Sequence, residues 1–184
     1  MAGGGNWWLP EWKPVPEVGG EDKWYEPYYG RGYVQLTHDY NYEKFSFDKA
    51  GSLSGFEDYL NDFLRELGWQ GWDDYAAGHL GLAPGTRLDL VSAPDLALKP
   101  EIAYAVMSFG MRHAGFRSGH ALGTYIRDQH PPDYAGAREI IQPVAYLRDR
   151  NPAEYQKQKT IADKIAGWAT KLAVFLNSYG PYRP

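Results

Sequence analysis

Cysteine is absent from this 184-residue chain, which excludes disulfide staples and thiolate-held metals. Basic charge is also in short supply. With 19 Lys and Arg against 23 Asp and Glu, the formal net charge is −4, whereas a nucleic-acid binder needs a basic face for phosphates. No apolar run approaches the eighteen or so residues of a membrane span. The opening residues, Met1-Ala2-Gly3-Gly4-Gly5-Asn6, lack the basic and apolar stretches of a secretory signal, so synthesis in a cytoplasm is expected. The five His include no pair at a helical ligand spacing, so neither a metal site nor a cofactor is expected. Alternating strand patterns are missing throughout.

Aromatic residues are abundant, with seven Trp and fifteen Tyr. A flat ring packs well on the apolar face of a pyranose, although most such rings serve the core. The length suits one domain, 1–184, with a real core. Residues 1–27 carry Pro10, Pro14 and Pro16 among Gly and Trp, which predicts an extended arm rather than a helix. A helix is expected over 53–67, where Ser54 and Glu57 resemble a capping box, Phe56, Tyr59, Leu60, Phe63, Leu64 and Leu67 keep the helical period, and Gly68 ends it. Its apolar face must be buried somewhere, and a protein partner is one option. Residues 69–98 read as loops with one short helix. Pro100 opens a second helix running to about Gly115, and 119–129 and 133–142 read as shorter ones. Asn151 caps a long final helix with the apolar seam Ile161, Ile165, Trp168, Leu172 and Phe175. The expected class is mainly α, with long loops.

The densest chemistry lies in Tyr28-Tyr29-Gly30-Arg31-Gly32-Tyr33-Val34-Gln35-Leu36-Thr37-His38-Asp39-Tyr40-Asn41-Tyr42. Gly30 and Gly32 flank Arg31 and allow close backbone approach to a ligand. Gln35, Thr37 and Asn41 offer amides and a hydroxyl, and Tyr29, Tyr40 and Tyr42 offer rings, a mixture suited to neutral, hydroxyl-rich ligands. A Gly-rich turn closed by local hydrogen bonds is the structural alternative. The run resembles the signature of family 19 chitinases, roughly Y-[YF]-G-R-G-x-[IV]-Q-[LI]-[ST]-x-x-x-N-Y, at nearly every defining position. Looser likenesses follow in family order: Leu88-Asp89-Leu90 with Pro94 to Ala103, then Asp133 to Ile141, then Asp163 to Trp168. Residues 46–86 stand out as an apparent insertion.

The resemblance implies a lysozyme-like helical fold and hydrolysis of chitin or peptidoglycan with inversion. A phage- or bacterium-encoded protein acting at the cell wall would fit. Gln35, Tyr40 and Asn41 match residues that line sugar subsites, and Thr37 matches one that holds the attacking water. Tyr29, Arg31, Arg138 and Gln142 complete the implied substrate-binding set, with Gln142 standing where the family has Asn. Inversion needs two carboxylates roughly 6.5–9.5 Å apart, one an acid and one a base. Lys13-Pro14-Val15-Pro16-Glu17 resembles the family's "QPVxE" and makes Glu17 the candidate base. The family's acid, in a helix reading "HET" about ten residues earlier, has no counterpart, because Trp7 stands at that position and Asn6 where the His would be. Glu11, between Pro10 and Trp12, is the nearest substitute, and neighbouring rings that exclude water would raise its pKa as a general acid requires. Three readings remain open: a hydrolase with a rearranged acid, a homologue that binds glycan without cutting it, and a scaffold that contacts other proteins.

Overall fold

The computed structural model describes residues 28–127, 130–141 and 147–178, the last four without their side chains. Glu11, Glu17, Gln142 and the expected N-terminal arm lie outside the described residues, as does the side chain of Phe175. The chain is mainly helical, with an isolated antiparallel bridge, Arg31 to Leu36, as the only β pairing among the described residues. It divides into two compact units, 1–110 and 111–184.

The first unit contains α1 (Asp39–Lys44), α2 (Phe56–Glu66), α3 (Trp72–Gly78), a 3-10 turn at Pro94–Leu98 and α4 (Pro100–Arg112), whose last two residues pass the unit boundary. Its core is aromatic. Phe56 at the start of α2 meets Phe45, Phe47 and Phe109 with ring centroids 5.1, 6.3 and 5.4 Å apart, all edge-on, the geometry that ring quadrupoles favour. Leu60 and Leu64 follow Phe56 at intervals of four and are fully buried. Most of the apolar face of α2 is therefore spent inside its own unit, with Leu67 at its end left 51 % exposed. Phe47, Phe56, Leu60, Leu64, Trp72 and Tyr75 are all buried, so residues 46–86 supply a large part of this core.

Local capping departs from expectation. Gly55 occupies the N-cap of α2 with φ 83 and no side-chain cap bond forms. Glu57 turns instead to Arg87, 2.5 Å away, because a charged partner outcompetes a backbone N–H that water can satisfy. Gly68 closes the helix as expected, at φ +96, a conformation costly for any residue with a Cβ.

The second unit contains α5 (Leu122–Tyr125), α6 (Tyr134–Ala137), a 3-10 turn at Arg138–Ile140, α7 (Leu147–Arg150) and α8 (Pro152–Ser178), with α6 and α7 both against α8. The two expected short helices are thus shorter than the pattern suggests. Asp133 caps α6 by accepting from the Gly136 N–H at 2.7 Å, and Asn151 caps α8 by accepting from Glu154 N–H at 3.1 Å. The long helix does not bury its expected seam. Trp168 and Leu172 are 66 % and 56 % exposed, while Ala162 is buried, and Ala166, Ala169 and Ala173 are half-buried. Small residues admit close helix approach, so the alanine stripe rather than the isoleucine–leucine stripe packs within the unit.

Because Phe56 joins three other rings, Phe56→Ala is expected to destabilise the protein by about 3–5 kcal/mol. Urea unfolding followed by near-ultraviolet circular dichroism measures this loss, and a change below about 1 kcal/mol would contradict the aromatic core.

Candidate functional site

Arg31 and Leu36 exchange backbone hydrogen bonds, Arg31 N–H to Leu36 O at 3.1 Å and Leu36 N–H to Arg31 O at 2.8 Å. The four residues between them form a tight turn. Gly32 is indispensable to it: at φ +67 an added Cβ would sit 2.8 Å from the Ala97 carbonyl oxygen and 3.3 Å from the Ala103 Cβ. The turn is thereby pressed against the leader and first turn of α4. Tyr33 and Gln35 are exposed, while Val34 and Leu36 are buried. The alternation places one set of side chains in the core and the other at the surface.

Arg31 turns inward and is only 3 % exposed. Its Nε donates to Asp95 Oδ1 at 2.8 Å, with Nη2 equally close to the same oxygen. Nη1 donates to the Tyr42 hydroxyl at 3.0 Å, and the guanidinium lies over the Tyr29 ring, 3.8 Å from its centroid. Tyr42, wholly buried, donates its own hydroxyl to the Tyr29 carbonyl at 2.7 Å. Burial pushes the Tyr42 phenol up to about 12, against the opposing pull of Arg31. Of the expected substrate-binding residues, Arg31 is therefore buried beneath the segment, and Tyr29 lies half-buried against it.

The 64-residue reach from Arg31 to Asp95 is organised by Asp89. Partial burial would raise the Asp89 carboxyl, but hydrogen bonds from Lys49 and Ser92 hold it down at about 2. Asp89 accepts from Lys49 Nζ at 2.7 Å and from the Val91 and Ser92 N–H groups at 3.0 and 3.1 Å. The turn so formed presents the Val91 carbonyl to the Tyr28 hydroxyl at 3.2 Å.

Thr37 sits between two non-glycine residues at positive φ, Gln35 at 53 and His38 at 68. Such residues are uncommon and cost on the order of 1–3 kcal/mol each, a strain that collects at functional sites. Gln35 Nε2 donates to the Gly32 carbonyl at 3.0 Å, which holds the side chain over the turn. Asn41 Nδ2 donates to the Thr37 carbonyl at 2.8 Å, and Asn41 Oδ1 accepts from Lys44 Nζ at 3.1 Å. The Thr37 hydroxyl makes no hydrogen bond among the described residues. Tyr40 is 54 % exposed and stacks on His38, centroids 5.4 Å apart and planes 6° from parallel. Partial burial pulls His38 below its usual range against the upward influence of Asp39.

The structure thus brings Tyr29, Arg31, Gln35, Thr37, Tyr40 and Asn41 together in one turn-and-helix element. Arg138 belongs to the second unit, where Nη2 donates to Gln158 Oε1 at 3.1 Å. Sequence reasoning missed Asp95, His38 and Lys44. Lys44 follows Asn41 by three positions, a spacing that brings helical side chains together, so it was available to find. Asp95 gave no local signal. No family model, curated protein or solved structure matches the chain.

Two pH dependences follow. The folded protein keeps the Tyr42 proton to about pH 12, whereas an unfolded tyrosine gives it up near 10. This contribution is complete below pH 10 and drains away between 10 and 12. Tyr42→Phe should flatten that part of the stability profile and cost about 1–3 kcal/mol at pH 7. The sign reverses for Asp89, whose clamp is intact above about pH 4 and lost as pH falls through about 2. Asp89→Asn should therefore cost about 1–2 kcal/mol at pH 7 and almost nothing at pH 2 in thermal melts.

Proposed function

We propose that this chain acts on β-1,4-linked N-acetylglucosamine polymers, chitin or peptidoglycan, as an inverting hydrolase of the family 19 chitinase type with a lysozyme-like helical fold. The observation that carries this reading is the pair of strained residues, Gln35 and His38, around the Thr37 hydroxyl, which makes no hydrogen bond among the described residues. Gln35 closes the Arg31–Leu36 turn and His38 opens α1, and backbone strain of this kind collects at preorganised sites. Gln35, Tyr40 and Asn41 then contact sugar hydroxyl and acetamido groups, with Tyr29 and Arg31 supporting them from beneath.

In this mechanism Thr37 holds a water molecule for Glu17. Glu17 takes the water proton as oxygen attacks the anomeric carbon, and Glu11 delivers its proton to the departing glycosidic oxygen. The carbon–oxygen bond breaks on the face opposite the attack, so configuration inverts. A glycan-binding homologue without turnover is favoured by one feature, Trp7 at the position of the family's acid.

Release of soluble fragments from peptidoglycan or chitin decides between the two. Glu17→Gln is expected to lower turnover by about 10²-fold or more while leaving oligosaccharide affinity intact. Affinity without any turnover in the unaltered protein establishes the non-catalytic reading. Absence of both leaves the scaffold role.

A further inference from the structure

In the second unit, the side of α8 that packing leaves over has an order of its own. Ile161, Ile165, Trp168 and Leu172 are all exposed. They follow one another at intervals of four, three and four, the spacing of the two apolar positions of a heptad. At about 100° per residue they share a strip about 60° wide, which runs about 16 Å along the helix, or about three turns. Beside the strip lies an apolar concavity of about 390 Å³, lined by Ile165 and Ala169 from α8 and by Leu122, Ile126 and Ile141 from the elements before it. Ile126 and Ile141 are exposed as well.

The two flanks of the strip differ. On one, Ala162 is buried and Ala169 half-buried within the unit. On the other, Lys157, Lys164 and Lys171 recur at intervals of seven and are all exposed, so the same lysine returns beside the strip in every heptad. Lys157 reaches Glu154 only at 3.6 Å. Asp163, the last carboxylate of α8, is taken by Lys159 at 2.8 Å on the side away from the strip. Lys164 and Lys171 pair with no carboxylate among the described residues. The surrounding chain leans the same way: residues 111–184 carry eleven Lys and Arg against six Asp and Glu, whereas 1–110 carry eight against seventeen.

We propose that the strip and its concavity dock an amphipathic helix of another protein, with the apolar face of that helix in the concavity and an acidic flank against Lys164 and Lys171. Charge chooses the occupant. Apolar contact alone accepts any helix, but carboxylates one heptad apart give each lysine the partner it lacks, and a basic flank is repelled. A second copy of this chain does not fit. Two antiparallel α8 helices would set lysine row against lysine row, and two parallel ones would need the alanine flank that is already spent inside the unit. A lipid surface is flat and would leave the space beside Ile165 without contacts, whereas a helix is a cylinder that enters a groove.

The test titrates the full chain into two fluorescently labelled helical peptides of three heptads and reads anisotropy. Both carry Leu at the two apolar positions; one has Glu on both flanks and the other Lys. The Glu peptide is expected to bind about tenfold or more tighter than the Lys peptide, and the gap should close as salt is raised to about 0.5 M. Trp168→Ser and Leu172→Ser, at exposed positions where circular dichroism verifies folding, should each weaken the Glu peptide by about tenfold. Lys164→Glu combined with Lys171→Glu should reverse the preference between the peptides while leaving the apolar strip intact. Absence of binding, equal binding of the two peptides, or a preference that the double substitution leaves unchanged overturns the proposal. So does a dimer in sedimentation that Leu172→Ser dissociates, which gives the strip to a second copy. Binding to phosphatidylglycerol vesicles that Trp168→Ser abolishes, with neither peptide bound, overturns it in favour of a lipid surface.

Discussion

The buried guanidinium of Arg31 is the constraint on which the candidate site depends. A charge taken out of water must be matched on the spot, and here the match comes from three directions: a carboxylate from the leader of α4, a phenol from α1 and a ring from the preceding strand-like residue. Asp95 is itself 76 % exposed at its side chain, so the ion pair is screened on one side and contributes modestly to stability. Its larger effect is geometric. With the fork of Arg31 fixed, Tyr29, the Gly32 turn and Tyr42 have one mutual arrangement, and the polar residues between them are held at the surface.

Much of this was legible from sequence, and what was not has a physical reason. Long amphipathic stretches announced α2, α4 and α8, because burial every three or four residues leaves a mark that survives any tertiary context. Asn151 and Gly68 marked helix ends correctly. Ser54 and Glu57 did not, since the ion pair with Arg87 arises from a residue thirty positions away. Arg31 read as a ligand-facing cation between two glycines, yet its partner Asp95 lies in a different part of the chain. Local spacing reports which face a residue shares, never what waits on the other side.

The seam of α8 is the clearest departure. Ile161, Ile165, Trp168 and Leu172 repeat as a core stripe should, yet alanines take the packed positions. Periodicity identifies an apolar face without stating which of two faces a helix spends within its unit. The reverse holds for residues 46–86. As a gap in the family resemblance they stood out as an apparent insertion, whereas the rings they contribute fill the core of the first unit. A segment that looks like an addition in one dimension forms part of the foundation in three.

The contacts that lock the Tyr28–Tyr42 segment are long in sequence, 63 positions from Tyr28 to Val91 and 64 from Arg31 to Asp95. Closing a loop of that length costs chain entropy before any contact repays it. The Gly32 turn is local, but its packing surface comes from the leader and first turn of α4, and the Tyr28 contact from the turn that Asp89 bends. The groups of the site hold their places through contacts more than sixty positions away, so the motif alone carries the residues and not their geometry.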